Sequence, residues 1–212
     1  MMRLPFAARA AFAAVAVAAA APVPAATLAS VQQALAATTS MQADFTQTAA
    51  DGRKVEGRML LKRPGRIRFD YGPEAKWLVV ADGQRLSFVD YRVSQVSQWP
   101  IRSTPLGVLL DPKADLARVA RVLPDEDSPM PGQVAVLAKD PKRPDIGQIL
   151  FFLAPDSRAP GGLRLTGWRV TDAQGNLTVV ELSNARTNID VADSNFRFRD
   201  PRPVNRTPGK PG

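Results

Sequence analysis

The sequence predicts an α+β fold, an antiparallel incomplete (half) β-barrel with a helical lid over an apolar cavity. Extended segments follow one another along the chain and are separated by short turn sequences, whereas only two or three short segments have helical spacing. Large apolar side chains are too numerous for those few helices to cover. A curved sheet that does not close leaves an apolar concave face, and a removable helical lid over such a face is suited to lipid binding.

The hairpin over residues 55–71 shows the strand pattern most clearly. An Arg-Pro-Gly turn separates two runs in which apolar and charged residues alternate, apart from Leu60. Alternate residues of a strand point to opposite faces of a sheet. One face of this hairpin is therefore apolar and carries Val55, Met59, Leu61, Ile67, Phe69 and Tyr71.

Turn sequences place the remaining strands. Asp51-Gly52 and Asp82-Gly83 are dipeptides typical of two-residue hairpin turns, and residues 172–176, DAQGN, form another turn signal. The predicted strands cover residues 43–50, 54–62, 76–81, 84–90, 94–99, 133–139, 146–154, 163–171 and 177–184.

Helical spacing is confined to short segments. Residues 27–39 carry one narrow apolar stripe, Leu28, Val31 and Leu35, that should lie on the sheet. Thr104-Pro105 is typical of a helix start, with threonine as the cap and proline at the first position. A further helix is predicted over residues 112–123.

The chain is expected to be exported. Residues 1–25 read as a cleavable signal peptide, because two arginines precede a short alanine-rich apolar run and small residues follow it. The half-barrel domain is predicted over residues 26–200, and residues 201–212 form a proline-rich flexible tail. The sequence contains no cysteine, which excludes disulfides and a lipid-modified cysteine anchor. We therefore expect a soluble periplasmic protein.

Charge narrows the range of partners. Removing Arg3 and Arg9 from the 28 Lys and Arg leaves 26 against 20 Asp and Glu, so the exported chain has a net charge of +6. A basic surface suits anionic membranes, acidic partners or nucleic acid, or only keeps the protein soluble. Export makes nucleic acid the poorest of these partners, and none is expected.

Residue types exclude most enzyme classes. The sequence has no histidine and no cysteine, so serine-histidine and cysteine-histidine nucleophiles and the usual zinc sites are absent. The glycines form no phosphate-binding loop. A hydrolase that uses two carboxylates stays open, although the candidate acids fall at strand ends or turns: Asp70, Asp82, Asp90 and Asp111. We expect no enzyme, no cofactor and no metal.

Several motifs, in this order and spacing, resemble the family of periplasmic outer-membrane lipoprotein carriers, the LolA family. The resemblance covers nearly all of the exported chain. Its motifs are ADFTQ at 43–47, KRPGRIRFDY at 62–71, VVADG at 79–83 followed by LSFVD, SQV at 94–96, TPLGVLL at 104–110, LTGWRVTDAQGN at 165–176 and NF at 195–196.

The resemblance implies a carrier of triacylated lipoproteins. Such a protein takes its cargo from an inner-membrane ABC-type lipoprotein transporter and passes it to an outer-membrane receptor or to the outer membrane itself, and it is expected to be a monomer. Shielding is needed because each methylene exposed to water costs about 0.8 kcal/mol, so an acyl chain of about a dozen carbons costs on the order of 10 kcal/mol.

The resemblance also implies site residues. Arg63 matches the arginine that holds the lid through backbone carbonyls, and Ile67 matches a cargo hand-over position where the family often carries an aromatic residue. The apolar surplus and the resemblance together assign the cavity to Val31, Leu35, Met59, Leu61, Phe69, Leu78, Val80, Phe88, Leu106 and Leu109.

Other functions stay open on the sequence. The membrane-anchored receptor of the same system shares the fold but needs a lipidated cysteine, and a carrier that also performs the receptor step is compatible with this chain. A ligand-sensing or regulatory module on the same half-barrel would bind a signal instead of cargo, although relatives of that type append a second domain.

Overall fold

The computed structural model describes residues 26–104, 106–110, 115–140 and 142–203, without the side chains of Val108 and Leu109. The predicted signal peptide at 1–25 and residues 204–212 of the predicted tail lie outside the described residues. Asp111 lies outside them as well, so its expected place at a turn stays a prediction.

The fold is built on one antiparallel sheet of eleven strands. All ten predicted strands, counting the second arm of the hairpin over residues 55–71, are present, with boundaries shifted by at most three residues. The strands are β1 (Ser40–Thr48), β2 (Lys54–Lys62), β3 (Arg66–Asp70), β4 (Trp77–Asp82), β5 (Arg85–Asp90), β6 (Gln95–Pro100), β7 (Ala120–Val122), β8 (Val134–Lys139), β9 (Gln148–Pro155), β10 (Leu163–Thr171) and β11 (Leu177–Thr187).

The strand order leaves the sheet open. Two meanders, β1 to β6 and β7 to β11, are joined by pairing of β1 with β11, and the order runs β6-β5-β4-β3-β2-β1-β11-β10-β9-β8-β7. The edge strands β6 and β7 are consecutive in the chain. The intervening residues must therefore cross from one edge of the open sheet to the other, and we call described residues 101–104, 106–110 and 115–119 the lid segment.

In the described ranges, four short α-helices accompany the sheet: α1 (Leu28–Ala37), α2 (Gly72–Ala75), α3 (Leu106–Leu110) and α4 (Leu116–Val119). The predicted first helix is confirmed as α1, which begins with a capping box between Thr27 and Ser30. The lid segment contains a 3-10 turn (Ile101–Ser103), α3 and α4. We call α1 and the lid segment together the cap.

The helix predicted over residues 112–123 is wrong from residue 120 onward, and its residues 112–114 lie outside the described residues. Helix α4 ends at Val119, and Ala120–Val122 forms strand β7, which pairs with β8. Backbone groups of this segment gain partners on the exposed edge of β8, and this tertiary pairing overrides the weak helical preference of the local sequence.

The two faces of the sheet carry separate apolar clusters. The larger one lies under the cap and is described below. The smaller one, on the outer face, consists of Leu78, Val80, Val89, Val191 and Phe196. Residues 189–198 cover this outer face through four apolar side chains, and Lys62 Nζ donates to the carbonyl of Val191 at 2.7 Å.

Leu78 and Val80, expected to line the cavity, belong to this outer cluster instead. Strand β4 is apolar at five successive positions, 77–81, so its sequence does not indicate which alternate set faces inward. The structure places Val79 and Ala81 under the cap. The outer set is buried because the C-terminal segment covers it.

Gly161 allows the β9–β10 connection to lie against α1. Its φ is +68°, and a Cβ at this position would lie 2.6 Å from the Cα of Ala34 on α1. The next residue, Gly162, has a φ of +78° but no atom within 4 Å of a Cβ placed there. Alanine at either position would carry backbone strain, but only alanine at Gly161 would also be crowded against α1.

We predict that Gly161→Ala destabilises the protein more than Gly162→Ala does. Both place alanine in the left-handed region, at a cost of about 1–2 kcal/mol. Gly161→Ala adds about 1–3 kcal/mol from overpacking against Ala34. Denaturant unfolding measures the difference, and equal losses for the two variants would contradict the described contact.

Candidate functional site

The concave face of the sheet is the candidate site. Strands from both meanders contribute buried apolar side chains to it, among them Met59 and Phe69. The cap covers these side chains with its own. The buried cap residues in the same cluster are Val31 and Leu35 from α1, Ile101 from the 3-10 turn, Leu110 from α3 and Leu116 from α4.

A row of aromatic rings crosses the concave face. Neighbouring rings have centroids 5.1 to 6.3 Å apart, and most pairs meet edge to face, the geometry that aromatic pairs favour. The row forms a continuous apolar floor from one meander into the other. Its members, in order, are Trp168, Phe69, Phe45, Tyr71, Trp77 and Phe88.

The polar atoms of this row have partners. The hydroxyl of Tyr71 donates to Gln47 Oε1 at 2.8 Å, and burial raises the pKa of Tyr71 above its ordinary value. The indole Nε1 of Trp77 donates to Asp90 Oδ2 at 3.2 Å, while the Arg92 guanidinium lies 4.8 Å from the Trp77 ring centroid. The aromatic floor is therefore uncharged, and the charges stand at its rim.

The space between α1 and the sheet is filled. A cavity of about 10 Å³ remains there, and its walls include Leu35, Leu61 and Leu153. That volume is close to the minimum that holds one water molecule. Nothing larger than about one water molecule fits between α1 and the sheet in this arrangement.

A larger pocket of about 340 Å³ opens at the mouth of the half-barrel. It lies between the lid segment and three turns of the sheet, at the lower end of the size range of ligand pockets, about 300–1,000 Å³. Its lining combines apolar Ile101 and Leu110 with charged Arg102, Asp140 and Arg143. The mouth is thus partly open while the interior is closed.

Arg63 connects the sheet to the cap. It follows β2, and its Nε donates to the carbonyl of Thr38 at 2.9 Å, while its backbone N–H donates to Thr39 O at 2.9 Å. Thr38 is the C-terminal cap residue of α1. A guanidinium placed there also interacts favourably with the negative end of the helix dipole.

Most of the predicted cavity residues come together under the cap. Val31, Leu35, Met59, Leu61 and Phe69 belong to the concave cluster, Leu106 packs against it, and Phe88 stacks beside Trp77. The side chain of Leu109 lies outside the described part of the chain. Only Leu78 and Val80 face the other way.

Ile67 is a buried member of this cluster. It is fully buried, opposite Leu61 on β2 and Ala81 on β4. The sequence interpretation did not assign Phe45, Leu110 or Leu116 to the cavity. Phe45 was detectable, because it alternates with polar residues in β1 and lies one strand away from Met59.

The acids considered for a carboxylate pair make local contacts. Asp70 Oδ2 accepts a hydrogen bond from Arg68 Nε at 2.8 Å, and Asp82 Oδ1 accepts one from the backbone N–H of Gln84 at 2.8 Å. Asp90 is bonded to Arg92 and Trp77. Within the described ranges, no three His, Cys, Asp or Glu residues are grouped so that they could hold a metal ion.

Comparison with known proteins identifies the family. The sequence model described as outer membrane lipoprotein carrier protein LolA matches residues 36–199, which include every strand of the sheet. The chain belongs to the LolA family. The resemblance noted in the sequence is thereby confirmed, and so is the open antiparallel sheet with few helices.

The curated relatives of this LolA-family chain span most of its length. An outer-membrane lipoprotein carrier protein of Chromobacterium violaceum is 28% identical over 93% of this chain and 95% of its own. The corresponding protein of Actinobacillus succinogenes is 30% identical over 76% of this chain and 75% of its own. A solved LolA superfamily protein from Nitrosomonas europaea has a TM-score of 0.47 and 15% identity, covering 82% and 99% of the two chains.

The helices of this LolA-family chain are short. No helix in the part of the chain that the structure describes is long and apolar enough to cross a membrane.

We predict that the stability lost in Asp90→Asn depends on pH. The Arg92 side chain holds the pKa of Asp90 at about 2, below its ordinary 3.8. A carboxylate with a lowered folded-state pKa stabilises the fold above pH 3.8, and this contribution disappears as the pH falls through about 2. The gap in unfolding free energy between parent and variant should therefore be largest near neutral pH and narrow on acidification.

Denaturant titrations at pH 7, 4 and about 2 measure that gap. Glu56→Gln, at an exposed position on β2, is the control. A gap for Asp90→Asn that stays constant over this range would contradict the role of the ionised carboxylate.

Proposed function

We propose that this chain is a periplasmic carrier, not an enzyme, that shields the acyl chains of lipoproteins and moves them from the inner to the outer membrane. The observation that supports this most is the concave apolar face, which is covered by the chain's own short helices rather than by further strands. Membership in the LolA family supports the same role.

The cap side chains act as substitutes for cargo. In the empty protein Val31, Leu35, Leu110 and Leu116 occupy the apolar face and keep water away from it. Acyl chains can replace them with little net change in buried apolar area, because both are hydrocarbon. The loaded and closed states then differ little in free energy, which allows cargo to be released as well as bound.

Few described backbone hydrogen bonds connect the lid segment to the sheet. The N–H of Ile101 donates to Gln84 O at 2.9 Å, and the N–H of Gly65 donates to Leu110 O at 3.2 Å. The sheet strands are instead joined by continuous ladders. Regions with few such bonds open locally at a lower free-energy cost than the core does, so the cap can leave while the sheet stays folded.

Arg63 is the latch of this mechanism. A charged donor on a carbonyl contributes about 1.5–3 kcal/mol, which biases α1 toward the sheet without locking it there. We propose that incoming acyl chains break the contact with Thr38, and that its reformation helps to expel them. Ile67, buried beneath the cap, is the proposed hand-over residue.

Partners follow from this role. Triacylated lipoproteins are the cargo, an inner-membrane ABC-type transporter supplies them, and an outer-membrane receptor or the membrane itself receives them. Residues 1–25 direct export in this proposal, residues 26–200 form the carrier domain, and residues 201–212 are a flexible tail. The carrier works as a monomer.

The direct experiment uses membranes that hold a labelled triacylated lipoprotein and the cognate transporter. With ATP and the exported form of this chain, we expect a soluble one-to-one complex that later delivers its cargo to outer membrane. Cargo that stays in the membrane, although the transporter hydrolyses ATP and releases cargo to a known carrier, would contradict the proposal and favour a ligand-sensing module.

We predict that Arg63→Leu loads cargo but delivers it at least tenfold more slowly, because the closed state loses a charge-assisted hydrogen bond of about 1.5–3 kcal/mol. The same assay, followed by transfer to outer membrane, separates loading from delivery. Arg58→Leu, at an exposed position on the same strand, is the matched control and should behave like the parent. Normal delivery by Arg63→Leu would refute the latch.

A further inference from the structure

The turn between β8 and β9 lies against the beginning of the lid segment. Arg143, in this turn, donates from Nη1 to the carbonyl of Arg102 at 2.9 Å. Arg102 belongs to the 3-10 turn that follows edge strand β6, whereas β8 lies next to the opposite edge of the sheet. This contact therefore joins the two sides of the open mouth.

The Arg143 guanidinium is held in place by its own turn. Its Nε donates to Asp140 Oδ2 at 2.9 Å, and Asp140 Oδ1 accepts the backbone N–H of Lys142 at 2.9 Å. The Asp140 side chain is only 18% exposed, and the neighbouring Arg143 lowers the pKa of its carboxyl. The planar guanidinium is thus oriented by one donor while another donor reaches across the mouth.

The contact stands at the edge of the mouth pocket. Arg102, Asp140 and Arg143 line this pocket together with Gly107 and Leu110 of α3. The pocket lies between α3 and the β8–β9 turn, so these two elements do not pack closely along its length. Where few apolar contacts hold the lid segment, a polar contact contributes a larger fraction of the free energy that keeps the segment closed.

We propose that Arg143 is a positioning residue that tethers the start of the lid segment from the β8–β9 side. Arg63 holds a different element, the C-terminal end of α1. Two places on the cap, the end of α1 and the start of the lid segment, are thus each bound by an arginine through a backbone carbonyl. This inference extends the proposed carrier function, and its meaning for cargo entry rests on that function.

Amide hydrogen exchange of the empty protein tests the tether. In Arg143→Gln we expect roughly tenfold faster exchange in the lid segment, because the charge-assisted bond that opposes its local opening is lost. The reporting amides are those of Ile101, Thr104 and Gly107, which donate to Gln84, Ile101 and Thr104.

The same variant should leave α1 unchanged. The amides of Val31 and Thr38, which donate to Thr27 O and Ala34 O, report on that helix. Arg63→Gln should give faster exchange in α1, because its guanidinium binds Thr38 O at the end of that helix.

Asp140→Asn weakens the orientation of the guanidinium but keeps its donors, so we expect a smaller rise in lid-segment exchange. Arg53→Gln is the matched control. Its Nε binds Asp51 Oδ2 at 2.6 Å within a single turn, as Arg143 binds Asp140, and this β1–β2 turn lies at the end of β2 opposite the turn that lines the mouth pocket. It should leave exchange in both cap elements at the parent rate.

Two results would overturn the tether. One is an unchanged exchange rate at Ile101, Thr104 and Gly107 in Arg143→Gln. The other is a uniform rise over α1, the lid segment and the sheet with a lower Tm, which would show a general loss of stability. Because these measurements contain no cargo, they are independent of the carrier function.

A cargo measurement keeps the two hypotheses distinct. A synthetic triacylated cysteinyl peptide should bind Arg143→Gln several-fold faster than it binds the parent, since the lid segment is open more of the time. If neither protein binds the peptide while exchange still rises in the lid segment, the carrier function fails and the tether holds. If both bind it at equal rates, the tether does not control cargo entry, and that part of the proposal is overturned.

Discussion

An apolar concave face on a sheet that does not close must be covered, and the rest of the structure follows from that constraint. The edge strands β6 and β7 are consecutive in the chain, so the lid segment has to cross the opening between them. Its buried residues and those of α1 fill the concavity until about 10 Å³ is left beside α1. The cap is therefore both the cover and the temporary occupant of the site.

This arrangement separates a permanent framework from a removable part. The sheet is held by continuous ladders and by a second cluster on its outer face, where residues 189–198 cover Leu78 and Val80. The cap is held by apolar contacts and a few polar bonds, including those of Arg63 and Arg143 to backbone carbonyls. Burial of hydrocarbon is non-directional, so acyl chains can replace cap side chains without a new set of specific contacts.

The sequence predicts the sheet well because its turns are marked by glycine and its faces alternate. The prediction from sequence fails where contacts between distant segments determine the structure. Residues 77–81 are apolar throughout, and only the covering C-terminal segment decides that Leu78 faces outward. Strand β7 depends on the open edge of β8, which no local pattern reveals. Arg143 carries no local signal either, since its carbonyl partner lies 41 residues away in the chain.

The most direct test measures cap displacement by cargo. Because the sequence has no cysteine, cysteines introduced at exposed Gln33 on α1 and Glu56 on β2 would carry the only two spin labels. On addition of a triacylated cysteinyl peptide the distance between these labels should lengthen and broaden, while a sheet pair at Glu56 and Lys139 keeps its distance. Peptide binding without a change in the first distance would contradict the account, because the closed interior has no room for acyl chains.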